Sequence, residues 1–336
     1  MGNFSLDALR RRPEAGAFLG LVFVTVFFTI FGGLQFLGPQ GVASWLNVAA
    51  NLGIIAVPVG FLMIAGELDI SIGAMVPAAS MTVGVVSGFY GMPIIVGMGV
   101  ALVFGILVGL INGIMVVRTN VPSLIVTMGT LFAVSGLVLF LSIVLTRNTA
   151  VSLPNPDAWA KALFGSYILG TYQMMVVWWL VLMVAFYYFL HLSPWGNWVF
   201  ALGGDKVSAR NAGIPTERLT IGLFVLSSVC ASFVGMCQTI LFNSAQVASG
   251  MSYIFNAIIS VVVGGVLLTG GFGSVVGIFF GTVTFAIVNQ GIYYTDFDRN
   301  LSSFIIGVML LIAVLMNNTF RKFALNSGTK KKGAKA

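Results

Sequence analysis

The chain has 336 residues, of which 58% are hydrophobic and only 7% charged, against about 25% charged in a soluble domain. That composition excludes a water-soluble globular protein and makes the long apolar runs membrane-spanning helices. The net charge of +7 does not signal nucleic-acid binding, because the basic residues gather beside the first and last apolar runs, as orienting charges do.

At about 20 residues per crossing, the sequence predicts an all-α polytopic membrane protein with ten spans. These lie near 17–37, 44–66, 71–89, 92–117, 123–146, 171–191, 219–242, 254–269, 272–292 and 302–317. The whole chain, 1–336, reads as a single transmembrane domain. Arg10, Arg11 and Arg12 precede the first run, which is longer than the roughly 7–15 apolar residues of a signal peptide. It is therefore a retained helix behind a cytoplasmic segment, 1–16. The second run carries Asn47 and Asn51, which share a helix face at i,i+4.

Between the second and third runs stand Glu67 and Asp69, two of only nine carboxylates in the chain. A charge at the bilayer centre costs about 2.5–3.5 kcal/mol on the insertion scale, so this pair needs partners, an interface or a wet cavity. Two residues apart, the side chains diverge on a regular helix. The sequence predicts a helix break at Gly66 or Gly73, with its freed backbone groups satisfied by protein or water. If the two carboxyls then titrate as a unit, one pKa rises.

Further along, Asn112 sits in the fourth run. The outer loop, 147–170, holds Pro154, Pro156 and a short helix over 157–164, with Trp159 and Tyr167 as interfacial anchors or partner contacts. The inner loop, 192–218, predicts a short helix over 206–212, capped by Asp205 and stopped by Gly213, with Pro215 preventing its resumption. Such a capped polar helix suits either a docking element or a solvated linker. Cys230 and Cys237 lie two turns apart on one run, too far along the axis for a disulfide. His191 is the only histidine and stands at the end of a span. No metal spacing or catalytic triad can be built around it, so the chain is read as a non-enzyme with no cofactor and no metal site. Gly66-to-Gly73 and Gly270-to-Gly277 share a seven-residue spacing that hints at an internal repeat.

With the N-terminus inside, thirteen of sixteen Lys and Arg fall on the cytoplasmic side, including the basic tail, 318–336. Only Arg147, Lys161 and Arg299 fall outside. This asymmetry requires an even number of spans, with both termini cytoplasmic.

Four blocks in order carry a resemblance. Gly66-Glu67-Leu68-Asp69-Ile70-Ser71-Ile72-Gly73 resembles the Gly-x-(Ile/Phe)-Asp-Leu-Ser-Val-Gly segment of ribose-type ABC importer permeases. Gly109-Leu110-Ile111-Asn112-Gly113, with Val121-Pro122-Ser123 and the run to Thr130, resembles the next block. Ala201 to Ile214 is similar to the family's cytoplasmic loop, and Gly264-Gly265 through Gly277 to Asn289 to its Gly-rich C-terminal block. The resemblance covers about 44–317. Glu67 departs from the pattern, which has an apolar or small residue there.

The resemblance implies a bacterial inner-membrane permease subunit for a sugar or sugar-like solute, partnered by a second permease subunit, two cytoplasmic ATP-binding subunits and a periplasmic solute-binding protein. The chain has no Gly-x-x-x-x-Gly-Lys-(Ser/Thr) of its own. Amides and carboxylates accept the hydroxyl donors of a sugar, so the candidate solute pathway is Asn47, Asn51, Glu67, Asp69, Asn112 and Asn289, with Gln238, Asn256 and Gln290 as further polar residues on apolar runs. Asp205, Lys206, Arg210, Asn211 and Gly213 are the candidate ATPase-coupling residues. The rival reading is a stand-alone proton- or sodium-coupled transporter using Glu67 or Asp69; a passive channel lacks a ring of like charges.

Overall fold

The computed structural model describes residues 13–119 and 121–296, together with Asp298 and positions 304, 307, 308, 311, 312 and 315. Twelve helices can be numbered in chain order within 13–296. α1 is Pro13–Leu37, broken in its path at Gly33, and α2 is Pro39–Ile64. α3 (Ile72–Val83) runs on into a wider turn over Gly84–Phe89. α4 is Ile94–Thr119 and α5 is Ser123–Thr146. A short α6 (Ala158–Phe164) precedes α7 (Met175–Tyr187), which also ends in a wide turn, Tyr188–Leu192. α8 (Pro194–Gly204) and α9 (Lys206–Asn211) come next. α10 is Thr216–Phe242, α11 is Met251–Val263 and α12 is Val275–Gly291.

Eight of these helices are long and apolar enough to cross a membrane. The difference from ten has two sources. The run expected at 254–269 forms only α11, whose 13 residues rise about 20 Å, short of a hydrocarbon core of about 30 Å. The helix stops at Gly264, and 266–274 is irregular. The run expected at 302–317 lies largely outside the described residues, as do 1–12 and the tail.

α2 is the central helix. Every residue from Ala49 to Ile64 is buried, which matches a helix that is apolar on all sides. α7, α10, α11 and α12 pack around it, while α3 and α4 pack on α10 and α1 on α12. α1 and α5 turn most of their apolar side chains outward, as lipid-facing helices do. Two short antiparallel pairings close one end of the bundle. β1 (Ala150–Ser152) pairs with β4 (Ser244–Gln246), and β2 (Tyr167–Ile168) with β3 (Tyr172–Gln173). This end, with α6, is called the α6 end. The opposite end carries α8 and α9.

The break between α2 and α3 is present. Gly66 has φ +85°, and its N–H reaches Met63 O while the Glu67 N–H reaches Leu62 O, a glycine-terminated helix end. The connection 65–71 leaves backbone groups without helical partners. Hydroxyls of α5 supply them: Leu68 N–H donates to Ser123 Oγ (3.0 Å) and Ile70 N–H to Thr127 Oγ1 (3.3 Å). α11 ends the same way, at Gly265 (φ +92°), with Val266 N–H on Val261 O. The two connections are therefore alike, but the equivalent of Gly66 is Gly265, not Gly270 as the seven-residue spacing suggested.

Candidate functional site

Polar side chains collect in two places, one at each end of the bundle. At the α6 end, a cavity of ≈ 450 Å³ opens between α2, α10, α11 and α12, within the roughly 300–1,000 Å³ of small-molecule sites. Asn47, Asn51, Gln173, Gln238, Tyr253, Asn256 and Asn289 line it, with Ser44, Ser249 and Ser252 at its margins. No Asp, Glu, Lys, Arg or His is among the lining residues.

The i,i+4 asparagines of α2 organise this cavity. Asn47 holds β3 by donating to Thr171 O (3.0 Å) and accepting from Gln173 N–H (2.8 Å). Asn51 Nδ2 donates to Gln173 Oε1 and to Asn47 O, both at 2.8 Å. Gln238 Nε2, from α10, reaches Tyr253 Oη (2.5 Å) and, at 3.4 Å, Asn51 Oδ1. Asn289 Oδ1 accepts from Gln290. Among the described residues the Asn256 side chain and Asn289 Nδ2 have no hydrogen-bond partner, so both are available to a bound solute.

Asn47, Asn51 and Asn289, expected on a solute path, thus share one cavity. Gln238 and Asn256 join them there, whereas Gln290 turns to its neighbour. Glu67, Asp69 and Asn112 do not join them. They lie at the opposite end, about 20 Å from Asn51 along α2 by the 1.5 Å rise. Gln173 and Tyr253 were missed as lining residues. Gln173 reaches the cavity only because Asn47 pins β3 over α2, a contact 126 residues apart in the chain.

At the α9 end, Asp69 is fully buried. Its Oδ1 accepts the Ser71 N–H (2.9 Å) and the Ser71 hydroxyl (2.5 Å), a local turn that seats the start of α3. Asn112 Nδ2 donates to Ser71 Oγ (3.0 Å) and Thr130 Oγ1 to Asn112 Oδ1 (2.6 Å). Asp69 and Asn112 therefore clamp the connection to α4 and α5. Burial raises the Asp69 carboxyl above its ordinary value, opposed by hydrogen bonding from Ser71. The first cause is desolvation. Glu67 turns the other way and meets Lys206 of α9, Nζ to Oε1 3.3 Å. Its departure from the family pattern thus has a partner in the connection 192–218.

The short helix expected over 206–212 is present as α9, Lys206–Asn211. Asp205 caps it by accepting the Ser208 N–H at 2.5 Å, and the hydrogen bonds from Ser208 hold its carboxyl below the ordinary value. Gly213, at φ +83°, ends it. Asp205, Lys206, Arg210, Asn211 and Gly213 are all exposed, while Ala209 is buried against the bundle. Arg210 lies 3.7 Å from Glu217, both in solvent. The preceding helix α8 was not foreseen in the sequence, although Pro194 at its first turn is a helix-start signal. His191 Nε2 accepts the Val275 N–H (3.2 Å), fixing the start of α12.

Lys161, assigned to the outer loop, has a structural role at the α6 end. Its Nζ donates to Ile240 O (2.7 Å), Leu241 O (2.9 Å) and Asn243 Oδ1 (2.9 Å), placing a cation on the C-terminus of α10. Desolvation lowers its pKa from the ordinary value. Among the described residues, no group of three or more His, Cys, Asp or Glu could hold a metal ion.

The profile of a protein family described as "Branched-chain amino acid transport system / permease component" matches residues 41–314 of the chain. The fructose import permease protein FrcC of Rhizobium meliloti is 28% identical over 94% of the chain and 88% of its own length. The ribose import permease protein RbsC of Bacillus subtilis is 28% identical, over 90% and 92% respectively. The probable ABC transporter permease protein y4mJ of Sinorhizobium fredii is 31% identical, over 83% of each chain. No solved structure gives a significant match.

Proposed function

Because the chain belongs to the family of branched-chain amino acid transport system permease components, we propose that it is the membrane-spanning subunit of an ATP-driven, binding-protein-dependent importer, and that its solute is a neutral sugar or sugar-like polyol. The observation that carries the choice of solute is the lining of the cavity. An amino-acid zwitterion brings two formal charges, and a charge taken out of water needs a charged or strongly dipolar partner. The polar side chains that line the cavity are amides and hydroxyls, without a formal charge, and these exchange hydrogen bonds readily with a polyol. The names of the fructose and ribose relatives point the same way.

ATP hydrolysis belongs on separate cytoplasmic subunits, which dock on the exposed face of α9 through Arg210 and Asn211. The connection 192–218 is then the coupling loop, the α6 end faces the periplasm and its binding protein, and the membrane is the bacterial inner membrane. A second permease subunit completes the path. Stand-alone coupling through Glu67 or Asp69 fits less well, since Glu67 is paired with Lys206 and Asp69 seats the α3 turn, both remote from the cavity.

Affinity purification from native membranes in mild detergent, with mass spectrometry, tests the reading. A stoichiometric ATP-binding subunit is the expected result, and the co-purified binding protein identifies the solute by what it carries. Recovery of this chain alone, under conditions that keep a known importer intact, contradicts it.

A further inference from the structure

A pull on α9 has to reach cavity side chains about 20 Å away. The contacts that can carry it are continuous. α8 ends at Gly204 and α9 starts at Lys206, so one residue separates them. Gly203, in the last turn of α8, lies directly against the end of α2: a Cβ there would stand 1.7 Å from Ile64 O and 2.6 Å from Gly271 N. Ile64 O in turn accepts the Gly271 N–H at 2.8 Å. Three segments thus touch backbone to backbone: the α8–α9 turn, the end of α2, and the irregular stretch between α11 and α12. The helices joined here, α2, α11 and α12, are the ones that bring Asn51, Tyr253 and Asn289 to the cavity.

We propose that Glu67 and Lys206 are the positioning residues of this junction: their ion pair holds α9 in register with the α2–α3 connection, so that a displacement of α9 is passed to α2 and the α11–α12 pair as one body. The inference rests on the reading of α9 as the ATPase-docking helix. An exposed ion pair contributes little by itself. Here the Glu67 side chain is only 14% exposed against 53% for Lys206, and the glycine contact beneath the pair bears the displacement. The charges have only to fix which way the turn moves.

The test uses the permease purified with its ATP-binding subunits and needs no knowledge of the solute. Ser252, at the cavity margin, is replaced by Cys as a reporter, and its alkylation rate by a thiol reagent is compared with and without trapping by ATP and vanadate. The carrier variants are Glu67→Lys, Lys206→Glu and the double exchange. Sites linked through one moving element are coupled by at least about fivefold. The nucleotide-dependent change in alkylation is expected to fall by about that factor in each single variant, with the ATP-binding subunits still bound, and to return in the exchange. An unaltered response in both single variants overturns the proposal. Loss of the ATP-binding subunits from Lys206→Glu, not recovered in the exchange, assigns Lys206 to the partner and overturns the latch while the docking reading stands. Failure of the unmodified permease to bring any ATP-binding subunit defeats that reading and the latch together. A second measurement covers poor expression of the reversals: Glu67→Cys with Lys206→Cys, bridged by a short bifunctional thiol reagent. Because the two residues move together, the bridged complex is expected to keep the reporter response. A response abolished by bridging and restored by cleaving the linker shows that they separate, and overturns the proposal.

Discussion

Gly203 and Ile64, 139 residues apart, are in backbone contact: the space a Cβ on Gly203 would need is occupied by the carbonyl oxygen of Ile64. That contact joins the α8–α9 turn to the central helix of the bundle. The obstruction is backbone, which cannot rotate away as a side chain would. Gly203→Ala is therefore expected to destabilise the purified protein by about 1–3 kcal/mol, the range for overpacking a filled site. A lowered thermal midpoint in detergent checks this, with Gly204→Ala as the comparison, since a Cβ on Gly204 meets nothing within 4 Å. Equal midpoints for the two variants would show that the contact can relax.

Asp69 is a fastener of the α3 turn. Asp69→Asn keeps an acceptor for the Ser71 N–H and is expected to transport at close to the normal rate. Asp69→Ala strands the buried Ser71 donors and is expected to cost about 1–3 kcal/mol. Uptake in intact cells and thermal midpoints separate the two variants. A proton- or sodium-coupling carboxylate would instead be silenced by either substitution.

The raised pKa of Asp69 has a sign. For a carboxyl raised in the folded state, the protonated form is favoured by folding. Its contribution is full below the unfolded carboxylate value of about 4 and declines as pH rises through the folded value. Asp69→Asn has no such decline. The stability of the Asn variant relative to the parent is thus expected to increase with pH above about 4, measured by thermal midpoints across a pH series. A constant difference would mean that Asp69 is not desolvated.

In the cavity, Asn51 bonds β3 and meets Gln238, and a neutral hydrogen bond contributes about 0.5–1.5 kcal/mol net. Asn51→Ala and Gln238→Ala are each expected to reduce uptake severalfold, up to about tenfold for 1.4 kcal/mol, with ATP-binding subunits still co-purifying. Uptake of a panel of neutral pentoses and hexoses measures this. Unchanged uptake in both variants would move the solute path elsewhere.

Lys161 closes the C-terminus of α10 with three acceptors. Lys161→Met removes the charge and keeps most of the stem. The expected loss is about 0.3–2 kcal/mol, the range for a cation at a helix end, read as a lower thermal midpoint. No loss would show that water satisfies those carbonyls as well.

Most of the helical frame was legible in the sequence, because long apolar runs in lipid have few alternatives to helix. The break at Gly66 was readable from a carboxylate pair flanked by glycines, and α9 from Asp205, Gly213 and Pro215. The length of α11 was not. Its apolar run continues past Gly264, and hydropathy does not register a glycine turn. Nor did the sequence reveal that Asn47 and Asn51 belong to one polar cluster and Glu67 and Asp69 to another. Those four residues are separated by only 22 positions, yet a single helix carries them to opposite ends of the bundle. Polar residues on apolar runs mark candidates, and helix geometry sorts them. Gln173 and Lys161 act through contacts about 80–126 residues apart, which no local pattern encodes.

The most direct test of the account is uptake of neutral sugars into proteoliposomes carrying the purified complex, with ATP and Mg²⁺ on the side of α9, its binding protein on the other, and ionophores that dissipate proton and sodium gradients. The account predicts uptake that requires ATP and is indifferent to the ionophores. Uptake that proceeds without ATP-binding subunits and stops when the gradients collapse would contradict it.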